Sequence, residues 1–205
     1  MKNIRRIRAA AVSLAVGGLL LALHRYFDWV VMRHLINTGY PEKYLLDFLL
    51  FLAPLLHGYG LITLYRTETA EYARPGLFGL RLTCGALLGV SGAYFFAEWI
   101  YSSKFPIFVF LFYPASFLLC IGLLFLQTAF RRTPLRLTLI LLAVMNVAYP
   151  VLPQFVASNQ GLLAGSSMKF ALGLALGGCW ALLGVCSSFR RRAEPQEAAR
   201  QGKFP

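Results

Sequence analysis

The chain has 205 residues, of which 58% are hydrophobic and 14% are charged, and its mean hydropathy is +0.63. Because a soluble domain carries about 25% charged residues, this composition excludes an ordinary soluble domain. The net charge of +12 does not indicate a nucleic-acid-binding protein, because the basic residues flank long apolar runs. In that position they set membrane topology and contact anionic lipid headgroups.

The apolar runs predict an all-α, polytopic membrane protein with a bundle of six transmembrane helices in residues 9–189. A basic leader, residues 1–8, precedes the bundle. The tail, residues 190–205, lacks hydrophobic periodicity and is expected to be disordered. The predicted spans cover residues 9–29, 44–65, 80–101, 105–130, 135–156 and 170–189.

The first span is predicted to stay attached as a signal anchor. A cleavable signal peptide ends in small residues, whereas the candidate site Ala22-Leu23-His24 ends in a large one. At the far end of this span, Arg25 is expected to snorkel to the outer interface among aromatic residues. Towards the end of the chain, residues 158–167 are rich in serine, glycine and asparagine and are predicted to form an external loop.

The basic residues also predict the orientation of the bundle. Fifteen of the twenty lysine and arginine residues fall in the leader, in the connections after the second and fourth spans, and in the tail, and five fall on the other side. Positively charged connections stay in the cytoplasm. Both termini are therefore expected to be cytoplasmic, in a multi-pass protein of the inner (plasma) membrane.

Polar residues within the spans or at their ends are the candidate binding residues. An ionisable group at the bilayer centre costs about 2.5–3.5 kcal/mol on insertion scales, so such groups usually face protein or water. The simpler interpretation is an interfacial network of ion pairs with nearby lysine and arginine residues. The alternatives are an externally open cavity for a cation, a proton or an amine, and contacts with lipid headgroups. The candidates are Arg25, Asp28, Asp47, His57, Glu98 and Asn146.

Asp47 and Glu98 are the basis of the cavity hypothesis, since each lies about one turn inside the external end of its span. His57 lies about 15 Å deeper than Asp47 along the second span, one turn after Pro54. It is expected either to be a neutral imidazole bonded to a neighbouring helix, at Asn146 or Tyr149, or to relay a proton or bind a substrate.

Two GxxxG patterns predict close packing between helices. Gly85 and Gly89 form one in the third span, and Gly173 and Gly177 form the other in the sixth span. Small residues four positions apart let helix backbones approach closely in a membrane, either within the bundle or between protomers.

No sequence motif indicates an enzyme: HExxH, GxSxG and Walker sequences are absent, and no catalytic residue, metal or cofactor is predicted. The favoured function is a transporter or a substrate-binding membrane subunit with an outward-facing polar site. Pro54 and Pro150 lie at matching positions of two three-span halves, a pattern typical of inverted-repeat transporters. The alternatives are a non-catalytic accessory subunit of a larger membrane complex and, more weakly, an enzyme acting on a lipid or isoprenoid. Expected partners are the bilayer, anionic lipids at the cytoplasmic face, and other membrane subunits or a second copy of the chain, without nucleic acid.

Overall fold

A computed structural model describes residues 2–34, 41–68, 74–95 and 105–188. Within these ranges the chain is helical and contains no strand, which confirms the all-α prediction. A short 3-10 turn, Gln127–Ala129, follows the fourth helix. The six helices are α1 (Lys2–His34), α2 (Pro41–Glu68), α3 (Arg74–Phe95), α4 (Phe105–Leu126), α5 (Thr133–Gln160) and α6 (Leu162–Ser188).

Five of the six helices are long and apolar enough to cross a membrane over their described residues. This finding supports the prediction of a polytopic membrane protein. Helix α2 is the one outside this set, so a total of six spans stays a prediction. The orientation of the termini also stays a prediction. The five segments are Ile4–Phe27, Arg74–Ala93, Leu111–Ala129, Thr133–Gln160 and Leu163–Ser188.

The helices form a closed ring in chain order. Each helix packs mainly against its neighbours in sequence, and α6 closes the ring against α1. The contacts of α1 with α6, α3 with α4, α5 with α6 and α1 with α2 are extensive, whereas those of α2 with α3 and α4 with α5 are sparser. The ring therefore consists of a four-helix unit (α5, α6, α1 and α2) and an α3–α4 hairpin, which meet at an α2–α3 seam and an α4–α5 seam.

Small residues bring α1 and α6 into backbone contact. A Cβ atom added to Gly177 would lie 2.6 Å from the carbonyl oxygen of Gly18, and one added to Gly18 would collide with the carbonyl oxygen of Gly177. Further along the interface, a Cβ added to Gly184 would lie 2.8 Å from the backbone nitrogen of Ala15. The sixth-span GxxxG pattern thus packs against α1 within the bundle, by the close approach that small residues allow.

The two glycines of the third-span GxxxG pattern are less enclosed. A Cβ atom added to Gly89 would lie 3.2 Å from the Cβ atom of Ala115 on α4, and one added to Gly85 would meet nothing within 4 Å. The closer α3–α4 contacts are made by Gly79 and Gly122. A Cβ atom added to Gly79 would collide with the backbone nitrogen of Leu126, and one added to Gly122 would lie 2.7 Å from the backbone nitrogen of Thr83.

The junction of α5 and α6 differs from the predicted external loop at residues 158–167. Helix α5 continues to Gln160, a single residue, Gly161, makes the turn, and α6 begins at Leu162. Gly161 has φ +95° and ψ 162°, a conformation that essentially only glycine adopts. The polar residues that suggested a loop bond to their own helix instead, since Ser158 Oγ and Asn159 Nδ2 each donate to the Phe155 carbonyl at 2.8 Å.

Candidate functional site

A narrow cavity lies at the centre of the ring, and all six helices contribute to its wall. Its volume is about 40 Å³, which is room for about three water molecules. Most of the wall is apolar. The polar and aromatic side chains on it include Arg25, His57, Ser116, Asn146, Tyr149 and Trp180. An apolar cavity with a few convergent polar groups is the usual form of a ligand site, and here the cavity is narrow.

Arg25 points towards the inside of the ring instead of snorkelling to the interface, and 7% of it is exposed. Its stem passes over Gly173, where an added Cβ atom would lie 2.7 Å from the arginine Cγ atom. Its guanidinium carbon lies 5.1 Å from the centroid of the Tyr149 ring, within the range of a cation–π interaction. The absence of a side chain at Gly173 thus makes room for a positive charge on the cavity wall.

His57 is held between two helices. Its ring stacks on Trp180 of α6, with centroids 3.9 Å apart and an interplanar angle of 7°. On the side of α1, a Cβ atom added to Gly17 would lie 2.7 Å from His57 Nε2. That nitrogen is buried and has no hydrogen-bond partner among the described residues. A buried polar atom without a partner costs about 1–3 kcal/mol, and the adjoining cavity has room for a water molecule that would bond to this nitrogen.

Asn146 lies opposite α2 on the cavity wall and is 8% exposed. Its Nδ2 donates to the Leu142 carbonyl at 2.8 Å. This hydrogen bond stays within α5 and does not reach His57. Pro150 and Pro153, both inside α5, have no N–H to donate. The backbone carbonyls one turn earlier, at Asn146 and Tyr149, therefore lack their usual helical donors.

A lateral groove lies at the α4–α5 seam, on the outside of the ring. It has a volume of about 350 Å³, within the range of about 300–1,000 Å³ typical of small-molecule sites. Phe117 and Val151 on its walls are 60% and 49% exposed, so the groove faces the surroundings of the bundle. Ser116 and Asn146 line both the groove and the central cavity. These two buried polar residues form the boundary between the two spaces.

Three of the six predicted candidates, Arg25, His57 and Asn146, share the wall of the central cavity. The side chains of the other three are not described: the backbones of Asp28 and Asp47 belong to α1 and α2, and Glu98 lies outside the described residues. The interfacial ion network and the carboxylate-floored cavity predicted for them thus stay predictions.

Sequence reasoning missed Ser116 and Trp180 as parts of the site. Trp180 carried a signal, because tryptophan in membrane helices concentrates at the interfaces and this one lies in the middle of an apolar run. Ser116 carried none, since a serine in an apolar helix usually bonds to its own backbone.

Outside the cavity, an ion pair joins α2 to the segment before α5. Arg132 Nε lies 3.5 Å from Glu68 Oε2, with the arginine side chain 25% exposed and the glutamate side chain 5% exposed. The four cysteines are free thiols within α3, α4 and α6. Over the described ranges, no group of three His, Cys, Asp or Glu side chains is placed to hold a metal ion.

Comparisons with protein-family models, with curated proteins and with solved structures find no match for this chain. The chemistry of the cavity and the groove is therefore the basis for assigning a function.

Proposed function

We propose that this chain is a small inner-membrane transporter or substrate-binding membrane subunit, with six spans and cytoplasmic termini. Its site is the central cavity, and the site opens towards the outer side of the membrane. The observation that carries the proposal is that Arg25, His57 and Asn146 reach one cavity from three different helices. Ionisable and polar groups inside a membrane bundle are costly, and they usually mark a substrate or ion pathway.

The cavity is narrow in the conformation that the structure describes. A volume of about 40 Å³ excludes a metabolite, so binding requires the helices to separate. The sparse contacts at the two seams favour a movement of the α3–α4 hairpin against the four-helix unit. Pro54 lies inside α2 and Pro150 inside α5, and both helices continue through their prolines. Each proline removes one helical hydrogen bond, which makes bending of these helices easier.

Thiol labelling from the two sides of the membrane tests this function. Leu87 is 3% exposed and lines the cavity, whereas its neighbour Leu88 is 61% exposed on the outer surface of α3. In a background with the four native cysteines replaced by serine, each leucine is changed to cysteine. Sealed vesicles of known orientation are then treated with a membrane-impermeant maleimide.

We expect Leu87→Cys to react from the outer side and Leu88→Cys, which faces lipid, to stay unlabelled from both sides. Reaction of Leu87→Cys from the cytoplasmic side alone would contradict the outward opening. A lack of reaction from either side, with the protein folded, would show that the cavity never admits water and is not a transport site.

A second candidate function is a non-catalytic accessory subunit, which the outer face of α3 favours. Cβ atoms added to Gly85 and Gly92 meet nothing within 4 Å, so this face offers small residues to a helix of another protein. Purification in a mild detergent distinguishes the two functions. A partner in fixed stoichiometry that is lost on Gly85→Leu would support the accessory role, and a chain that purifies alone would contradict it.

A further inference from the structure

The lateral groove lies at the depth of the hydrocarbon core. Tyr113 is about 12 Å along α4 from its first residue, and Asn146 is about 20 Å along α5 from its start. Both positions are in the middle of helices long enough to span a bilayer. In a membrane, the molecules beside the groove are therefore hydrocarbon chains.

The groove has a mostly apolar wall and a polar inner end. Pro114, Phe117, Val147 and Val151 form walls that a hydrocarbon chain can contact. Tyr113 also lines the groove, and its hydroxyl joins the two helices by donating to the Pro150 carbonyl at 3.5 Å and accepting from Gln154 Nε2. At the inner end, Ser116 is 3% exposed and Asn146 is 8% exposed. This order matches an amphiphile that enters with its chain in the groove and its head towards the cavity.

A positive charge lies beyond the polar boundary. Tyr149 is one turn after Asn146 on α5, and its ring contacts the guanidinium of Arg25. The charge on the cavity wall is thus next to the inner end of the groove, where it complements an anionic head. An arginine forms strong, charge-assisted hydrogen bonds with a carboxylate.

We propose that the substrate is a single-chain amphiphile with a carboxylate head, and that it enters from the bilayer through the α4–α5 seam. Its hydrocarbon chain occupies the lateral groove. Its head passes Ser116 and Asn146 to reach Arg25. This inference rests on the proposed function, because it names the substrate class of the same central site.

Photolabelling of the full-length protein tests the groove. The purified protein in nanodiscs is exposed to palmitate that carries a diazirine on its chain, and labelled peptides are identified by mass spectrometry. Val151 and Leu152 are adjacent and comparably exposed, at 49% and 38%, but only Val151 lines the groove. We expect labels on α4 and α5 in the parent, a loss of about tenfold in Val151→Trp, and parental labelling in the matched control Leu152→Trp.

A comparison of head groups tests the role of Arg25. The parent is expected to bind the palmitate probe about tenfold more tightly than the corresponding long-chain alcohol, as a charge-assisted hydrogen bond implies. Arg25→Gln should abolish this preference, and Arg25→Lys should keep most of it. If Arg25 had a purely structural role, Arg25→Gln would weaken the binding of the acid and the alcohol equally.

Several outcomes would overturn the inference. Equal labelling of Val151→Trp and Leu152→Trp would exclude the groove as the route. Equal binding of acid and alcohol by the parent would exclude the anionic head. Loss of labelling on adding an anionic two-chain lipid to the nanodiscs, but not on adding unlabelled palmitate, would exclude a single-chain ligand. If these results occur while Leu87→Cys still reacts from the outer side, the proposed function stands and the substrate class is wrong.

Discussion

The neighbouring glycines Gly177 and Gly178 allow a matched test of the close approach between α1 and α6. A Cβ atom at position 177 would lie 2.6 Å from the carbonyl oxygen of Gly18 and 2.9 Å from the backbone nitrogen of Ala22. At position 178 it would meet nothing within 4 Å. Because the obstructing atoms belong to the backbone of α1, the whole helix must move to relieve the clash at 177.

The size of the effect follows from comparing the two alanine variants. Both gain the same helix propensity, about 0.8–1.0 kcal/mol, so this gain cancels in the difference. Overpacking of a well-packed interface costs about 1–3 kcal/mol. We therefore expect Gly177→Ala to be less stable than Gly178→Ala by that amount, which for a chain of this length is a Tm difference of about 2–12 °C.

Thermal unfolding of both variants in the same detergent, followed by far-ultraviolet circular dichroism, measures this difference. Gly18→Ala provides an independent check from the opposite helix, because its Cβ atom would collide with the carbonyl oxygen of Gly177. Its Tm should match that of Gly177→Ala. If all three variants melt at the same temperature, α1 and α6 are not in backbone contact and the ring is not closed at this point.

Three further substitutions test the buried polar groups and the α5–α6 turn. His57→Phe keeps the stack on Trp180 and removes an unpaired nitrogen, so its Tm should equal or exceed that of the parent. His57→Ala should lower the free energy of unfolding by about 2–5 kcal/mol. Equal losses of stability in the two variants would show that the imidazole nitrogen is bonded. Thr83→Val removes a buried hydroxyl that has no partner among the described residues and should be neutral or stabilising in denaturant titrations; a loss above about 1 kcal/mol would contradict this. Gly161→Ala should cost about 1–3 kcal/mol because of its backbone conformation, unlike Gly178→Ala; equal melting temperatures would exclude the single-residue turn.

The α5–α6 turn shows which part of the fold was not predictable from composition. Residues 158–167 contain the serine, asparagine and glycine residues typical of a loop. The same side chains also satisfy carbonyls at a helix end, as Asn159 does for Phe155. Which of these two roles is taken depends on whether α5 and α6 pack together, a tertiary contact that a local pattern does not contain.

The site was predictable in part, for a reason that Arg25 illustrates. The cost of an ionisable or polar group in a membrane identifies Arg25, His57 and Asn146 as candidates from sequence alone. The direction of the Arg25 side chain depends on Gly173, which lies far along the chain and leaves space for the arginine stem. The sequence therefore identifies the polar residues. Whether their side chains face the cavity or the membrane interface depends on the packing of a helix that is distant in sequence.

The position of the lateral groove has a physical reason in the distribution of glycine. The α1–α6 interface is close because Gly18 and Gly177 face each other, and α3 approaches α4 closely at Gly122. Helix α5 contains no glycine, and the single glycine of α4 already faces α3. At the α4–α5 seam, side chains such as Phe117 and Val147 therefore keep the backbones apart, and the prolines remove backbone donors beside the gap. The ring is thus held most tightly where glycines meet, and it is least closed where the buried polar residues Ser116 and Asn146 lie between the bilayer and the cavity.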